Sequence, residues 1–345
     1  MSHTTAPAAF YTGERTVSTS EAALTAPAPG EVAIDVAYTG ICGTDLHIFH
    51  GDMDSRVTLP AVIGHEMSGR IAEVGPDVED WAPGDAVTVM PLRWCGTCPA
   101  CSAGHSHICH RLDFVGIDSP GSLRRRWTVP TGLLVRLPQD LPLDRAALVE
   151  PTAVAVHDVR RAQVAPGERV LVVGGGPVGL LIASVAAGAG GDVLLAELDP
   201  QRRAFADTLG LHTVDAATDV PAYVEEWTGG AGADVAFEVS GAAGGVAAAV
   251  DALAVRGRLV LVAIHGQPRP VNLHRFFWRE LTLIGARLYD RSDFEAAVHL
   301  VAQEKVPAAQ LISTVVPLSD AAAGFAALES GGSGQMKILV DCQAS

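Results

Sequence analysis

Four cysteines stand close together as Cys95, Cys98, Cys101 and Cys109, a C-x2-C-x2-C-x7-C run. Four thiolates saturate a tetrahedral zinc ion and leave no position for a substrate, so the spacing points to a closed, structural metal site that cross-links a lobe too small for its own core. Four thiolates also suit an iron–sulfur cluster. Two-residue spacings without an export signal favour a shared metal over disulfides. His105, His107 and His110 lie nearby; they are read as surface residues, because four cysteines already complete the shell. A second donor set is scattered along the chain: Cys42 in GICGTDLH (residues 40–47), His65 and Glu66 in GHE, and Glu150 in LVEP. Taken singly each is ordinary. Together they offer one soft, one borderline and two hard donors, and three ligands with a labile fourth position suit a catalytic zinc.

A third pattern is VLVVGGGPVG at residues 170–179. A buried strand runs into Gly174, Gly176 and Gly179 at GxGxxG spacing, and a helix opens at Pro177 and Val178. The first glycine permits the tight turn, the second lets a pyrophosphate approach the backbone, and the third lets the helix pack on the sheet. The helix N-terminus offers free N–H groups to the phosphates. Glu197 ends the next apolar run, 197 − 176 = 21 residues beyond the second glycine, where an acid about 20 residues on accepts the ribose hydroxyls. A carboxylate there repels a 2′-phosphate, so NAD is expected over NADP. Asp199 falls beyond the strand, in the turn before Pro200. The cofactor-binding set is Gly174, Gly176, Pro177, Val178, Gly179, Glu197 and Arg202.

The elements that must position these groups divide the chain in two. Residues 31–38 alternate polar and apolar like a half-buried strand; residues 69–74 and 86–89 are similar, and Pro-Gly pairs at 29–30 and 83–84 mark turns. From residue 170 short β-branched runs (170–173, 192–197, 235–239, 258–263, 281–284) alternate with Ala-rich helical segments (178–189, 200–209, 243–254). That alternation implies a parallel sheet covered on both faces. The expected fold is therefore α/β, with a β-rich domain over 1–152 and 287–345, a cysteine lobe at about 91–114, and a doubly wound Rossmann domain over 153–286. The active site is expected in the cleft between them. Residues 336–340 read as a last strand, GGSG at 331–334 as a short flexible turn, and the N-terminal arm to about Ala9 as frayed.

Composition narrows the function. The balance of 24 Lys and Arg against 39 Asp and Glu, a formal charge of −15, argues against nucleic acid or an anionic membrane as partner. No signal peptide or spanning segment is read from the sequence, and a cytoplasmic location is expected.

The series GICGTDLH, GHExxG, the four-cysteine lobe, VEP at 149–151, GGGPVG and FEVSGA at 237–242 resembles, over nearly the whole chain, the zinc-dependent medium-chain dehydrogenases. It lies closest to their sorbitol, polyol, butanediol and threonine branch. The resemblance implies a GroES-like catalytic domain beside the Rossmann domain, two zinc ions per subunit, NAD as cofactor, a small alcohol or polyol as substrate, and a homodimer or homotetramer. It implies a catalytic zinc held by Cys42 and His65, with Glu66 and Glu150 as remaining candidates; Glu at 150 is the residue of the polyol, butanediol and threonine branch. Asp45 would orient the ring of His65, the alternative being a turn residue. Thr44 could accept the alcohol proton, and His47 matches the family position that passes it to solvent.

The substrate is less legible. GSLRRRW at residues 121–127 departs from many relatives; Arg124, Arg125 and Arg126 could face an anionic or polyhydroxyl substrate, but such a run is more often solvated or salt-bridged. In GARLYD (285–290) Leu288 precedes Tyr289 and Arg287 is displaced by one, unlike sorbitol-type enzymes. The expected activity is hydride transfer between NAD and a secondary alcohol, a polyol, sugar alcohol or vicinal diol. Threonine 3-dehydrogenase and 2,3-butanediol dehydrogenase are alternatives. A zinc-free quinone or enoyl reductase and a non-catalytic structural protein stand further off.

Overall fold

The computed structural model describes residues 4–330 and 334–344. Most of the 331–334 turn and the start of the N-terminal arm lie outside the described residues. The chain forms two compact units. One comprises residues up to Glu150, with Asp290–Glu304 and those from Ala308 onward; the other comprises Pro151–Tyr289 and Lys305–Pro307.

The second unit is a six-stranded parallel sheet. Its spatial order is His212–Asp215, Asp192–Glu197, Arg169–Val173, Ala233–Glu238, Leu253–Leu261 and Thr282–Gly285. Counted along the chain this is 3-2-1-4-5-6, the doubly wound order whose switch point lies between the first and fourth strands. The central strands read as apolar runs because both faces are covered: Leu171, Leu194, Ala236 and Leu259 are all buried in one cluster with Val224 and Val250 from the helices. The helix Ala243–Ala252 gives way at Leu253 to a strand longer than the 258–263 run suggests.

The first unit is built on a seven-stranded sheet. Strand Glu31–Gly40 lies at its centre, antiparallel to Glu66–Val74 on one side and to Lys337–Asp341 and Arg126–Pro130 on the other. A separate antiparallel hairpin joins Thr5–Gly13 to Thr16–Ala23. The N-terminal arm is thus paired from Thr5 and not frayed to Ala9. Its backbone N–H groups find partners in the hairpin and beyond it: Ala9 donates to Leu123 (2.8 Å) and Tyr11 to Ala61 (2.8 Å). No helix of the described residues is long and apolar enough to cross a membrane.

Candidate active site

The register of the central sheet brings the scattered donors together. Gly40 pairs with Glu66 across the antiparallel ladder, so the residues just after one strand meet those at the start of the other. Cys42 caps the helix Gly43–Phe49. Its thiol, a His65 ring nitrogen and a Glu66 carboxylate oxygen all lie within 4.8 Å of one another. His65 and Glu66 are buried, and Cys42 is half-exposed. Asp45 is fully buried on the same helix. Its Oδ2 accepts the Cys42 N–H at 2.9 Å, and its Oδ1 lies 3.6 Å from His65 Nδ1. That distance is an ion-pair approach and too long for a hydrogen bond. Asp45 therefore both caps the helix and faces the histidine.

Glu66 is not free. Both its oxygens accept from Lys337 Nζ, at 2.8 and 2.7 Å, and the same ammonium donates to Ile41 O at 3.2 Å. The pair is buried at both ends and spans the central strand at Gly40, where a Cβ would stand 2.2 Å from Glu66 Oε2. Only a glycine leaves that passage open. Glu150, in the first turn of the helix Val149–Ala162, is buried as well but lies outside the three-residue donor group. It acts by its field, raising the proton affinity of both His65 and Lys337. Burial works against a charged His65; Asp45, Cys42 and Glu150 outweigh it and hold the imidazole well above its ordinary value. The Lys337 ammonium is likewise opposed by burial and restored by Glu66 and Cys42. Burial pushes the Asp45 carboxyl up. Asp45 Oδ1 and His65 Nδ1 are buried with no hydrogen-bond partner. The pocket is thus rich in negative donors and favours added positive charge, which fits a divalent metal.

Thr44 and His47 lie on the same short helix, both half-exposed. His47 Nδ1 is 3.0 Å from Asp52 Oδ2, and the hydrogen bond to His47 holds the Asp52 carboxyl below its usual range.

The four lobe cysteines also converge within 4.8 Å. Sulfur separations are 3.5 Å for Cys98–Cys101, 3.7 Å for Cys98–Cys109 and 3.5 Å for Cys95–Cys109. A disulfide needs about 2.05 Å, whereas thiolates about 2.3 Å from one zinc stand about 3.8 Å apart. The spacing fits one tetrahedral ion. Hydrogen bonds from the Thr97 backbone and the Arg111 side chain pull the Cys95 thiol down to about 5, and burial raises that of Cys101 to about 11. His107 is not a surface residue: it is buried, with Nδ1 2.8 Å from Asp290 Oδ1.

In the parallel-sheet unit, Gly174 has φ +111° and donates to Ala196 O at 2.8 Å. Gly176 caps the helix Pro177–Gly188, which starts with Pro177 and Val178. A Cβ on Gly179 would stand 1.9 Å from Gly174 O, whereas one on Gly176 would meet only Arg202 Nη1 at 4.0 Å. The third glycine is needed for packing, and the second leaves its space open. Glu197 Oε2 accepts from Gly175 N at 2.5 Å and Oε1 from Asp199 N at 2.8 Å. Asp199 caps the next helix. Arg202 faces the glycine loop with its Nε buried and unpartnered. Arg203 is tied to Glu197 O and Asp215.

Residues 28–139 match the alcohol dehydrogenase GroES-like domain, and residues 177–303 match the zinc-binding dehydrogenase domain. The 2-dehydro-3-deoxy-L-galactonate 5-dehydrogenase of Pseudoalteromonas atlantica is 47% identical over 98% of this chain and 99% of its own. The 2R,3R-butanediol dehydrogenase structure from Bacillus subtilis superposes with a TM-score of 0.89 at 32% identity, covering 97% of this chain and 99% of that one. A zinc-binding dehydrogenase structure from Sinorhizobium meliloti 1021, bound to NADP, gives 0.91 at 29% identity, covering 98% and 100%. The chain belongs to the zinc-dependent medium-chain dehydrogenases. It is an oxidoreductase acting on CH–OH groups, with zinc and a nicotinamide cofactor.

Two groups of this dehydrogenase escaped the sequence reading. Lys337 stands alone at the head of an apolar strand; a lysine there signals a buried acid that must face it. Glu238 ends the strand beside Val173 and is fully buried. Its Oε1 accepts from Ser240 N, Ser240 Oγ and Gly241 N, and its Oε2 lies 3.0 Å from His265 Nε2. It shapes the loop at the switch point beside Gly174.

Replacing Lys337 by Met strands the Glu66 charge in the interior. The expected cost is about 3–5 kcal/mol, seen as a lowered thermal midpoint that Lys337→Met combined with Glu66→Gln largely restores. An unchanged midpoint in the single variant would show that the pair carries no such weight.

Proposed function

We propose that this dehydrogenase is cytoplasmic, carries two zinc ions per chain, and oxidises a secondary hydroxyl of a polyhydroxylated substrate with NAD. The observation that carries the reading is the convergence of Cys42, His65 and Glu66 beside the buried Asp45 and Glu150. In it Cys42 and His65 hold the catalytic ion, with Glu66 or Glu150 as third protein ligand. Cys95, Cys98, Cys101 and Cys109 hold the structural one. When bound, zinc lowers the pKa of an alcohol and nicotinamide takes the hydride. The protein's own tasks are position and proton transfer. Asp45 fixes the imidazole of His65. Thr44 Oγ1 accepts the hydroxyl proton as it gives up its own, and His47, half-exposed and held by Asp52, passes the outgoing proton from Nε2 to solvent.

The substrate class is a polyol, sugar alcohol, vicinal diol or sugar acid. The relative that is 47% identical is named for a sugar acid, which supports that class; threonine and 2,3-butanediol are alternatives. NAD preference rests on Glu197, whose carboxylate is locked at the strand end and repels a 2′-phosphate. A second reading has one observation behind it. Arg202 brings its Nη1 near Gly176 and leaves its buried Nε without a hydrogen-bond partner, and the S. meliloti neighbour binds NADP. A cytoplasmic location agrees with six cysteines that are all free of disulfides.

The protein is further proposed to be a homo-oligomer. The edge strand Thr282–Gly285 and the helix Leu273–Arg279 expose Leu273, Phe277, Trp278 and Leu283, an unprotected edge that a second copy would cover.

Steady-state NADH formation with polyols, diols and sugar acids tests the activity. It should require zinc and be lost on exhaustive chelation; activity that survives chelation would remove the proposed site from the reaction. Glu197→Ala should shrink the NAD over NADP preference about 10-fold or more, and an unchanged ratio would assign the preference elsewhere. His47→Gln should lower turnover about 100-fold at neutral pH with recovery at high pH; an unaltered profile excludes the relay. Sedimentation should give a dimer or larger, and a monomer at micromolar concentration would reject the edge contact.

A further inference from the structure

The three arginines at 124–126 have three different fates. Arg126 Nε donates to Asp35 Oδ1 at 2.9 Å, and Arg125 Nη2 donates to Gln343 O at 2.9 Å. The Arg124 guanidinium has no hydrogen bond or ion pair to any described residue, and its Nε is shut off from solvent. Arg124 lines a cavity of about 290 Å³ together with Arg93, Arg126, Trp127, Leu24 and Glu31. The two other arginines of that cavity are paired. Arg93 is bound to Asp113, and Arg126 to Asp35. Glu31 Oε2 accepts from Ala28 N at 3.1 Å. Glu31 keeps its negative charge, so Arg124 is the one cation of the lining without a carboxylate partner among the described residues. Burial lowers the proton affinity of Arg124, and no carboxylate offsets it.

A half-buried guanidinium without a counter-ion is costly, and its planar fork matches a carboxylate through two parallel N–H···O bonds. One unpaired guanidinium, with the Glu31 carboxylate in the same lining, suits a monoanion better than a phosphate dianion. The buried Trp127 and the half-buried Leu24 offer apolar surface to a short carbon chain. The cavity volume sits near the low end of the roughly 300–1,000 Å³ typical of small-ligand sites.

We propose that Arg124 and this cavity form a binding site for a small organic monocarboxylate. Neither Cys42, His65, Glu66 nor Glu150 lines it, so it is a second site. It is joined to the first through the backbone. Gly121 N donates to Val62 O (2.7 Å), Ser122 N to Gly64 O (3.0 Å) and Leu123 N to Ile63 O (3.0 Å). The segment leading into Arg124 is therefore laced to the one leading into His65. An occupant that anchors Arg124 stiffens the ladder that sets the histidine.

The test is independent of the dehydrogenase reading, because butyrate carries no hydroxyl to oxidise. Calorimetric titration of the zinc-replete full chain with sodium butyrate should show one equivalent bound. Affinity should fall about 10-fold or more in Arg124→Gln and less in Arg124→Lys, with phosphate weaker than butyrate and neutral butanol giving no site. A crystal soaked in butyrate should place the carboxylate on Arg124, which keeps the test decisive if the glutamine variant fails to fold. No butyrate uptake, equal affinity in Arg124→Gln, preference for phosphate, or density elsewhere only would each overturn the proposal.

Discussion

The first unit is organised around a buried ion pair laid across a glycine. Glu66 and Lys337 come from strands on opposite sides of the strand Glu31–Gly40, and they meet over the one position in it that carries no Cβ to block them. The constraint works in both directions. Because the pair must meet, the three strands are held in register at one end, and that end delivers Cys42 and His65 to the same pocket. Because the pocket collects Cys42, Asp45, Glu66 and Glu150, it requires the lysine. An unpaired carboxylate at this depth would cost several kcal/mol. A lone apolar replacement at Lys337 would remove one cost and create a larger one.

The sequence disclosed most where a local rule was enough. The parallel strands of the second unit are covered on both faces, so 170–173 and 192–197 appear as apolar runs and coincide closely with Arg169–Val173 and Asp192–Glu197. The lobe cysteines are near neighbours along the chain, and their spacing announces their convergence. The N-terminal hairpin gave no such sign. Its turn residues Glu14 and Arg15 both have positive φ, 49° and 56°, which is the conformation of a tight hairpin turn. That conformation is normally flagged by Asn or Gly, and here it is imposed by the pairing of the two strands. Its second strand, TVSTSEAA, is mostly exposed and shows little apolar alternation to read.

The pocket around Cys42 and His65 was legible as a set of residue types but not as an arrangement. Glu66 and Glu150 look equivalent in sequence, as two acids beside plausible ligands. In three dimensions one touches the Cys42–His65 pair and is gripped by an ammonium, while the other acts through space from a helix. That difference depends on Lys337, about 270 residues away along the chain, and no window of sequence contains both. The arginines at 124–126 show the same limit at short range. They are identical and consecutive, yet Asp35, the Gln343 carbonyl and an open cavity divide them.

Glu197 shows why binding strength and cofactor choice must be separated in such a fold. Its carboxylate has two duties. One oxygen accepts the Gly175 N–H and the other the Asp199 N–H, so it closes the glycine loop against the start of the next helix before any ligand arrives. In the proposed cofactor site the same carboxylate faces the adenosine ribose. Losing it would therefore loosen the loop that receives either dinucleotide, which weakens both alike. The repulsion of a 2′-phosphate concerns one of them only. Overall affinity reports the structural duty, and the ratio of the two affinities reports the electrostatic one. Arg202, whose Nη1 lies near Gly176 and whose buried Nε has no hydrogen-bond partner, is a positive charge that would bias that ratio in the opposite direction. A preference set by these two residues is the difference between a fixed negative charge and a nearby positive one.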